Sequence, residues 1–369
     1  MFELTNAQRK CFGLLPVESH WIRIEPKPSP YDRHVTVAYL DGRTVRKYIA
    51  SGEDHYCEYE LCEQLSDDLR YLLPKTQRGK PVLLSAATLE KRTGLGMCLS
   101  YLRHKAGKPY IDLFCHDTQR CYYCNIHEPA TEGEHHSFQQ WVENWCAETT
   151  AADLEDIACF AGDPRQHVTF QEGDVFRFKL NRRLYGYGRI LLDYALMRKK
   201  KVPFWDILAG KPLACSVYHI ITDRDNVTLE ELKALPSLPA SHMMDNKLFY
   251  GEYQIIGNIP ITEHEDYPIM YGSSINVRYQ AAHLQCGRLF RTIPDTNALF
   301  EDFHMGGIGF NLDVNISVLQ ECIRQNSNGP YWEKQVKNLF NNDLRNPQYR
   351  EELERACKQF DIDPSLLIK

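Results

Sequence analysis

No run of apolar residues in this chain approaches the roughly 18 that a membrane-crossing helix needs. Residues 1–16 carry Glu3, Arg9 and Lys10 and lack the long apolar core of a secretory leader, so neither leader nor anchor is expected there. There are thirteen cysteines, an odd number spread over the whole chain. A secreted disulfide framework would be shorter and evenly paired. The expectation is a cytoplasmic, reducing setting with mostly buried thiols, in which the sequons at Asn226 and Asn315 have no meaning. A nucleophile-elbow serine, a P-loop and a zinc-protease helix are all missing. So are internal repeats and low-complexity tracts. No complete catalytic site is spelled out, and no cofactor is expected.

Lysine and arginine are missing from residues 121–164, which hold Glu128, Glu132, Glu134, Glu143, Glu148, Asp153, Glu155, Asp156 and Asp163. The chain's net charge is −6, so everything outside that stretch is net positive. Exposed helices ordinarily mix both signs. A single-sign surface attracts a cationic partner and speeds its docking. Glu143, Glu148, Glu155 and Asp156 are therefore candidate contacts, against the plainer reading of two solvated helix faces.

What is present reads as α+β. The 369 residues suggest two or three domains. Residues 1–162 form a strand-rich N-terminal domain ending in helices, and Gly162-Asp163-Pro164 marks its boundary. Residues 163–290 form a small curled β-sheet or barrel, and residues 291–369 a helical region. Hairpins are predicted over 34–49, with Asp41-Gly42 at the tip, and over 110–126, turning at 117–120. Ser137 with Gln140 and Thr228 with Glu231 have capping-box spacing. Phe138, Trp141, Val142 and Trp145 form one apolar stripe. Ile316, Leu319, Cys322 and Ile323 form a second. A third, Tyr349, Leu353, Ala356, Cys357 and Phe360, follows an Asn346-Pro347 helix start.

Four local patterns invite chemistry. Cys121-x-x-Cys124-x-x-His127 has zinc-knuckle spacing beside Cys115, His116, Glu134, His135 and His136. On a strand, however, residues three apart face opposite sides, which puts Cys124 in a core face with Leu113 and Cys115. Tyr185-Gly186-Tyr187-Gly188-Arg189 begins like a dinucleotide loop, but Leu191 stands where the third glycine belongs. The run from Arg198 to Lys201 reads as a solvated loop rather than a nucleic-acid contact. Asp223, Asp225 and Asn226 lack the glycine and glutamate of a calcium loop.

Gly173-Asp174-Val175-Phe176-Arg177-Phe178, followed by Leu184-Tyr185-Gly186-Tyr187-Gly188-Arg189-Ile190, resembles the signature of the immunity protein 26 family. The resemblance is clearest over residues 168–274 and takes in Phe204-Trp205-Asp206-Ile207 and Tyr250-Gly251-Glu252. It implies a folded antidote that binds a protein toxin, one that is basic if it meets the acidic stretch, with no role for a membrane or for direct nucleic-acid contact. Gly173, Asp174, Phe176, Gly186 and Gly188 are the motif residues, and Tyr185, Tyr187 and Arg189 are candidate contacts. Some members go under the name of a phosphotriesterase. The alternative is therefore a metal-assisted hydrolase drawing on His127, Glu134, His135 and His136.

Overall fold

A computed structural model describes residues 2–28, 34–103, 108–127, 137–199, 211–273, 282–294, 308–309, 313–325 and 343–367. The chain divides into two compact units, Met1–Gln166 and His167–Lys369.

The first unit opens with helix α1 (Asn6–Cys11), capped by a Thr5–Gln8 box. Strands β1 (Ile22–Ile24), β2 (Val35–Asp41), β3 (Thr44–Ser51) and β4 (His55–Gln64) follow. A short ribbon, β5 (Tyr71–Leu72) with β6 (Val82–Leu83), and helix α2 (Ala86–Leu89) come next. The chain returns through β7 (Leu95–Leu102), β8 (Tyr110–Cys115) and β9 (Arg120–Cys124). The large sheet runs β1-β2-β3-β4-β7-β8-β9, with every neighbouring pair antiparallel. Helices α3 (Phe138–Glu148) and α4 (Ala151–Gly162) join α1 over one face, around Phe12, Val37, Leu99, Leu113, Val142, Trp145 and Ile157. The ribbon and α2 cover part of the other, around Leu40, Tyr48, Tyr59, Leu72 and Leu89.

Both predicted hairpins form, with small shifts. In the first, Asp41 pairs with Thr44, so the loop is Gly42-Arg43 and the glycine takes the positive φ of 60°. In the second, β8 and β9 pair across residues 116–119.

The helix-side face of this sheet carries a buried ionic network. Glu58 Oε1 accepts from Arg9 Nε at 2.6 Å and from Lys47 Nζ at 3.0 Å. Glu58 Oε2 accepts from the Tyr56 hydroxyl at 2.5 Å. Lys47 also donates to Glu60 Oε1 at 2.6 Å and to the Leu15 carbonyl at 2.7 Å. The Lys47 and Glu58 side chains have no solvent exposure. Burial pushes the Glu60 carboxyl up, against the pull of Lys47.

The second unit contains β10 (Asp174–Lys179), β11 (Tyr185–Asp193), α5 (Ala195–Lys199), β12 (Pro212–Val217), α6 (Leu229–Lys233), β13 (Ser241–Met244), α7 (Asn246–Phe249) and β14 (Gln254–Asn258). After these come β15 (Ile269–Ser273), β16 (Ala282–Cys286), β17 (Leu289–Ile293), β18 (Ile308–Gly309), α8 (Asp313–Arg324) and α9 (Arg350–Gln359). The main sheet runs β14-β10-β11-β12-β13-β18 and is open. The barrel alternative is thus corrected: β14 and β18 are its two edges, and no closure exists among the described residues. Ile316, Leu319 and Cys322 of α8 pack on this sheet, while Ile323 is exposed. Helix α9 lays Leu353, Ala356 and Cys357 on the smaller β15-β16-β17 sheet. Asn346 does act as a cap, but of a 3-10 turn, Pro347–Tyr349, that leads into α9. Arg198 and Lys199 sit on α5 rather than in a loop, and residues 200–210, including Phe204 to Ile207, lie outside the described residues.

Two histidines are buried in this unit. Burial, with Arg345 adding to it, lowers the pKa of His242 to about 3, and burial lowers that of His283 to about 4. The unfolded chain accepts these protons near pH 6.5, and the folded chain refuses them until far lower pH. Stability is therefore full above pH 6.5 and falls as pH drops toward those values. Each histidine should cost ~2 kcal/mol between pH 6.5 and 5. Urea midpoints at pH 7 and 5 check this: His242→Gln/His283→Gln should flatten the difference, and an unchanged slope would refute it.

Candidate partner-binding surface

Ser137 caps α3, its side chain accepting from Gln140 N at 3.2 Å. No return bond completes a capping box, and the Gln140 amide nitrogen donates to Asn144 Oδ1. Phe138, Val142 and Trp145 fall on one helical face and are buried. Trp145 ties the helix down by donating to the Cys11 carbonyl at 3.0 Å. Glu143 and Glu148 are left on the exposed side. Thr150 and Asp153 form a complete capping box on α4, whose acid also suits the helix N-terminus. Ile157 is the inward anchor of α4, and Glu155 and Asp156 are exposed.

Not every acid here is equally available. Asp156 accepts from the Tyr122 hydroxyl at 2.8 Å. Asp163 pairs at 2.7 Å with Arg120, which is buried. The same guanidinium lies 4.6 Å from the Phe160 ring centre and donates to the Phe160 carbonyl at the end of α4. Helices α3 and α4 together present Glu143, Glu148, Glu155 and Asp156 to solvent, with no lysine or arginine among their residues.

The second cluster of candidate residues is the β10–β11 hairpin. Gly173 has a φ of 89°, and a Cβ there would stand 2.7 Å from the Ile259 carbonyl, so only glycine fits. Asp174 is buried and accepts from Gln171 N and from the Asn258 amide, both at 2.8 Å. Phe176 pairs across the strands with Gly188, and Phe178 with Gly186. A Cβ on either glycine would stand 2.5 Å from the facing ring's Cζ, so each ring occupies the space a side chain there would need. Phe176 stacks in turn on Tyr253, ring centres 5.5 Å apart. The glycines are there for the phenylalanines.

The aromatic and cationic candidates separate. Tyr187 is fully buried and donates to the Arg224 carbonyl at 2.8 Å, so its ring is core and out of a partner's reach in this conformation. Tyr185 is half-buried, with Arg177 4.9 Å from its ring centre. Arg189 is an internal staple: it pairs with Glu265 at 2.6 Å and donates to the Ile259 and Pro260 carbonyls.

For the metal alternative, Glu134, His135 and His136 lie outside the described residues, and His127 ends the 3-10 turn Asn125–His127. Among the described residues no three His, Cys, Asp or Glu side chains gather at one point. The expected face of Cys124 needs correction. A bulge in the β8–β9 pairing sets Cys124 opposite Asp112 and Cys121 opposite Phe114. Both cysteines therefore share the face away from the helices, and Tyr122 and Tyr123 both enter the helix-side core.

Sequence reasoning missed a cleft of about 880 Å³ in the second unit, between the loop bearing Glu263 and Asp266 and the side chains of Arg288, Arg345 and Arg350. Arg345 is held there by Asp343 and Asp266. No local spacing could have signalled it, since residues nearly eighty positions apart build its walls.

The hairpin, its glycine-under-ring packing and the open sheet define a motif-bearing α+β module. Residues 171–282 match the family model described as immunity protein 26, and every motif residue above lies in that span. The central segment thus carries the signature of the immunity protein 26 family. No curated protein and no solved structure matches the chain.

Proposed function

We propose that this protein is an immunity protein that binds a protein toxin and neutralises it by occlusion. The match of residues 171–282 to immunity protein 26 carries the reading. The acidic face of α3 and α4 supports the further view that the toxin is basic and docks there. Many toxins act on nucleic acid through cationic surfaces, and a lawn of carboxylates competes for such a surface. Long-range attraction raises the encounter rate and weakens with salt. Tyr185 offers an accessible aromatic on the hairpin as an additional contact. The setting is the cytoplasm of the toxin-producing cell. Among the described residues no helix is long and apolar enough to cross a membrane.

The test is co-expression with the toxin encoded beside this gene, reading growth rescue and co-elution on a sizing column. Rescue with a stable complex is expected. Rescue without a complex would overturn binding, and absence of both would overturn immunity. In the complex, Glu143→Gln/Glu148→Gln/Glu155→Gln/Asp156→Asn should slow association about tenfold at low salt and flatten its salt dependence. An unchanged rate and salt slope would remove the acidic face from the interface.

A further inference from the structure

Strands β4 and β7 are antiparallel neighbours in which Cys57 stands opposite Ser100. Cys98, two residues back along β7, faces the same side, and its Sγ lies 4.0 Å from that of Cys57. The Ser100 hydroxyl stands 3.9 Å from the Cys57 sulfur and 3.5 Å from the Cys98 sulfur. Both cysteines are free thiols, Cys98 buried and Cys57 half-buried. They occupy the sheet face opposite α3 and α4, so their chemistry is separate from the acidic surface.

We propose that Cys57 and Cys98 form a peroxide-oxidisable dithiol that closes reversibly into a cross-strand disulfide. The two thiols are unequal. The hydrogen bond with Cys57, together with burial, pushes the Cys98 thiol well up, so Cys98 keeps its proton and the more accessible Cys57 supplies the nucleophile. The Cys57 thiolate attacks one oxygen of the peroxide. The S–O bond forms as the O–O bond breaks, and the leaving oxygen departs with a proton as water or alcohol. The Cys98 sulfur then attacks the Cys57 sulfenic sulfur. The S–S bond forms, the S–O bond breaks, and the hydroxide leaves as water with the Cys98 proton. Two thiols lose two electrons, and the peroxide takes them.

The placement makes this bond a labile one. Side chains on a cross-strand diagonal ordinarily stand wider apart than a relaxed disulfide spans, and the sulfurs must close to about 2 Å. The bridge therefore forms under strain and reopens readily to thiols. While closed it clamps β4 to β7, the middle of the seven-stranded sheet.

The experiment uses the full chain with one equivalent of hydrogen peroxide, alkylation in denaturant, and non-reducing peptide mass spectrometry. Free thiols should fall by two from the thirteen of the sequence. A Cys57–Cys98 linked peptide, two hydrogens lighter than its parts, should appear and vanish on treatment with reduced glutathione. Cys98→Ser should stop at a Cys57 sulfenic acid, trapped as a dimedone adduct, whereas Cys57→Ser should give none at Cys98. Recovery of both thiols alkylated after the exposed Cys62 and Cys159 have oxidised overturns the proposal, as does a bridge from Cys57 to any other cysteine. A dimedone adduct on Cys98 in Cys57→Ser, equal in yield, overturns the roles.

Discussion

Glu58→Ala should destabilise the first unit by about 3–5 kcal/mol, a large share of a domain's usual stability. The carboxylate sits between Arg9 and Lys47 and accepts from Tyr56, all out of water. Removing it leaves two buried cations to share Glu60, along with a Tyr56 hydroxyl that has lost the acceptor for its proton. Breaking a buried pair costs far more than the pair contributes over an apolar substitute. The damage should reach the N-terminal segment first, because Arg9 and the Leu15 carbonyl are two of its ties to the sheet. Urea unfolding combined with peptide-level hydrogen exchange checks both statements: the midpoint falls, and peptides covering residues 2–17, β3 and β4 lose protection. Lys47→Met/Glu58→Gln leaves one cation with one carboxylate and should cost less than the sum of its single changes. A loss under 1 kcal/mol for Glu58→Ala would mean that water reaches the network.

Gly188→Val should cost the second unit about 3 kcal/mol, the upper range for overpacking a closed core. The new Cβ would press on Phe176 from 2.5 Å and on the Ser216 carbonyl from 3.0 Å. Phe176 has little room to yield, since it is fully buried and stacked on Tyr253. Shortening the ring should relieve the clash, so Gly188→Val/Phe176→Leu should be more stable than additivity allows, by at least ~1 kcal/mol. Strict additivity in thermal or urea unfolding would show that the ring does not need the glycine.

The sequence made the secondary structure legible where local rules dominate. Thr228 and Glu231 cap α6 as their spacing predicts, and the α8 and α9 stripes fall on packed faces except for Ile323, which is exposed. Periodicity states which residues share a face, but not whether that face is wet. No local pattern marks Glu58 and Glu60, two apart on a strand, as core; the placement of Arg9 and Lys47 makes them so. A one-residue bulge was equally invisible, and it moved Cys124 to the other side of the sheet. Of the candidate contacts, the exposed acids followed from the helix stripe. Tyr187 did not, because alternation in a sheet covered on both faces gives no outward side.

Phe176 over Gly188 and Phe178 over Gly186 bear on what the family signature records. These residues are buried and hold a hairpin shut. A pattern built from them reports an architecture and leaves open what that architecture binds. Kinship read from this hairpin predicts a scaffold, and what such a scaffold recognises is decided by exposed residues outside the pattern.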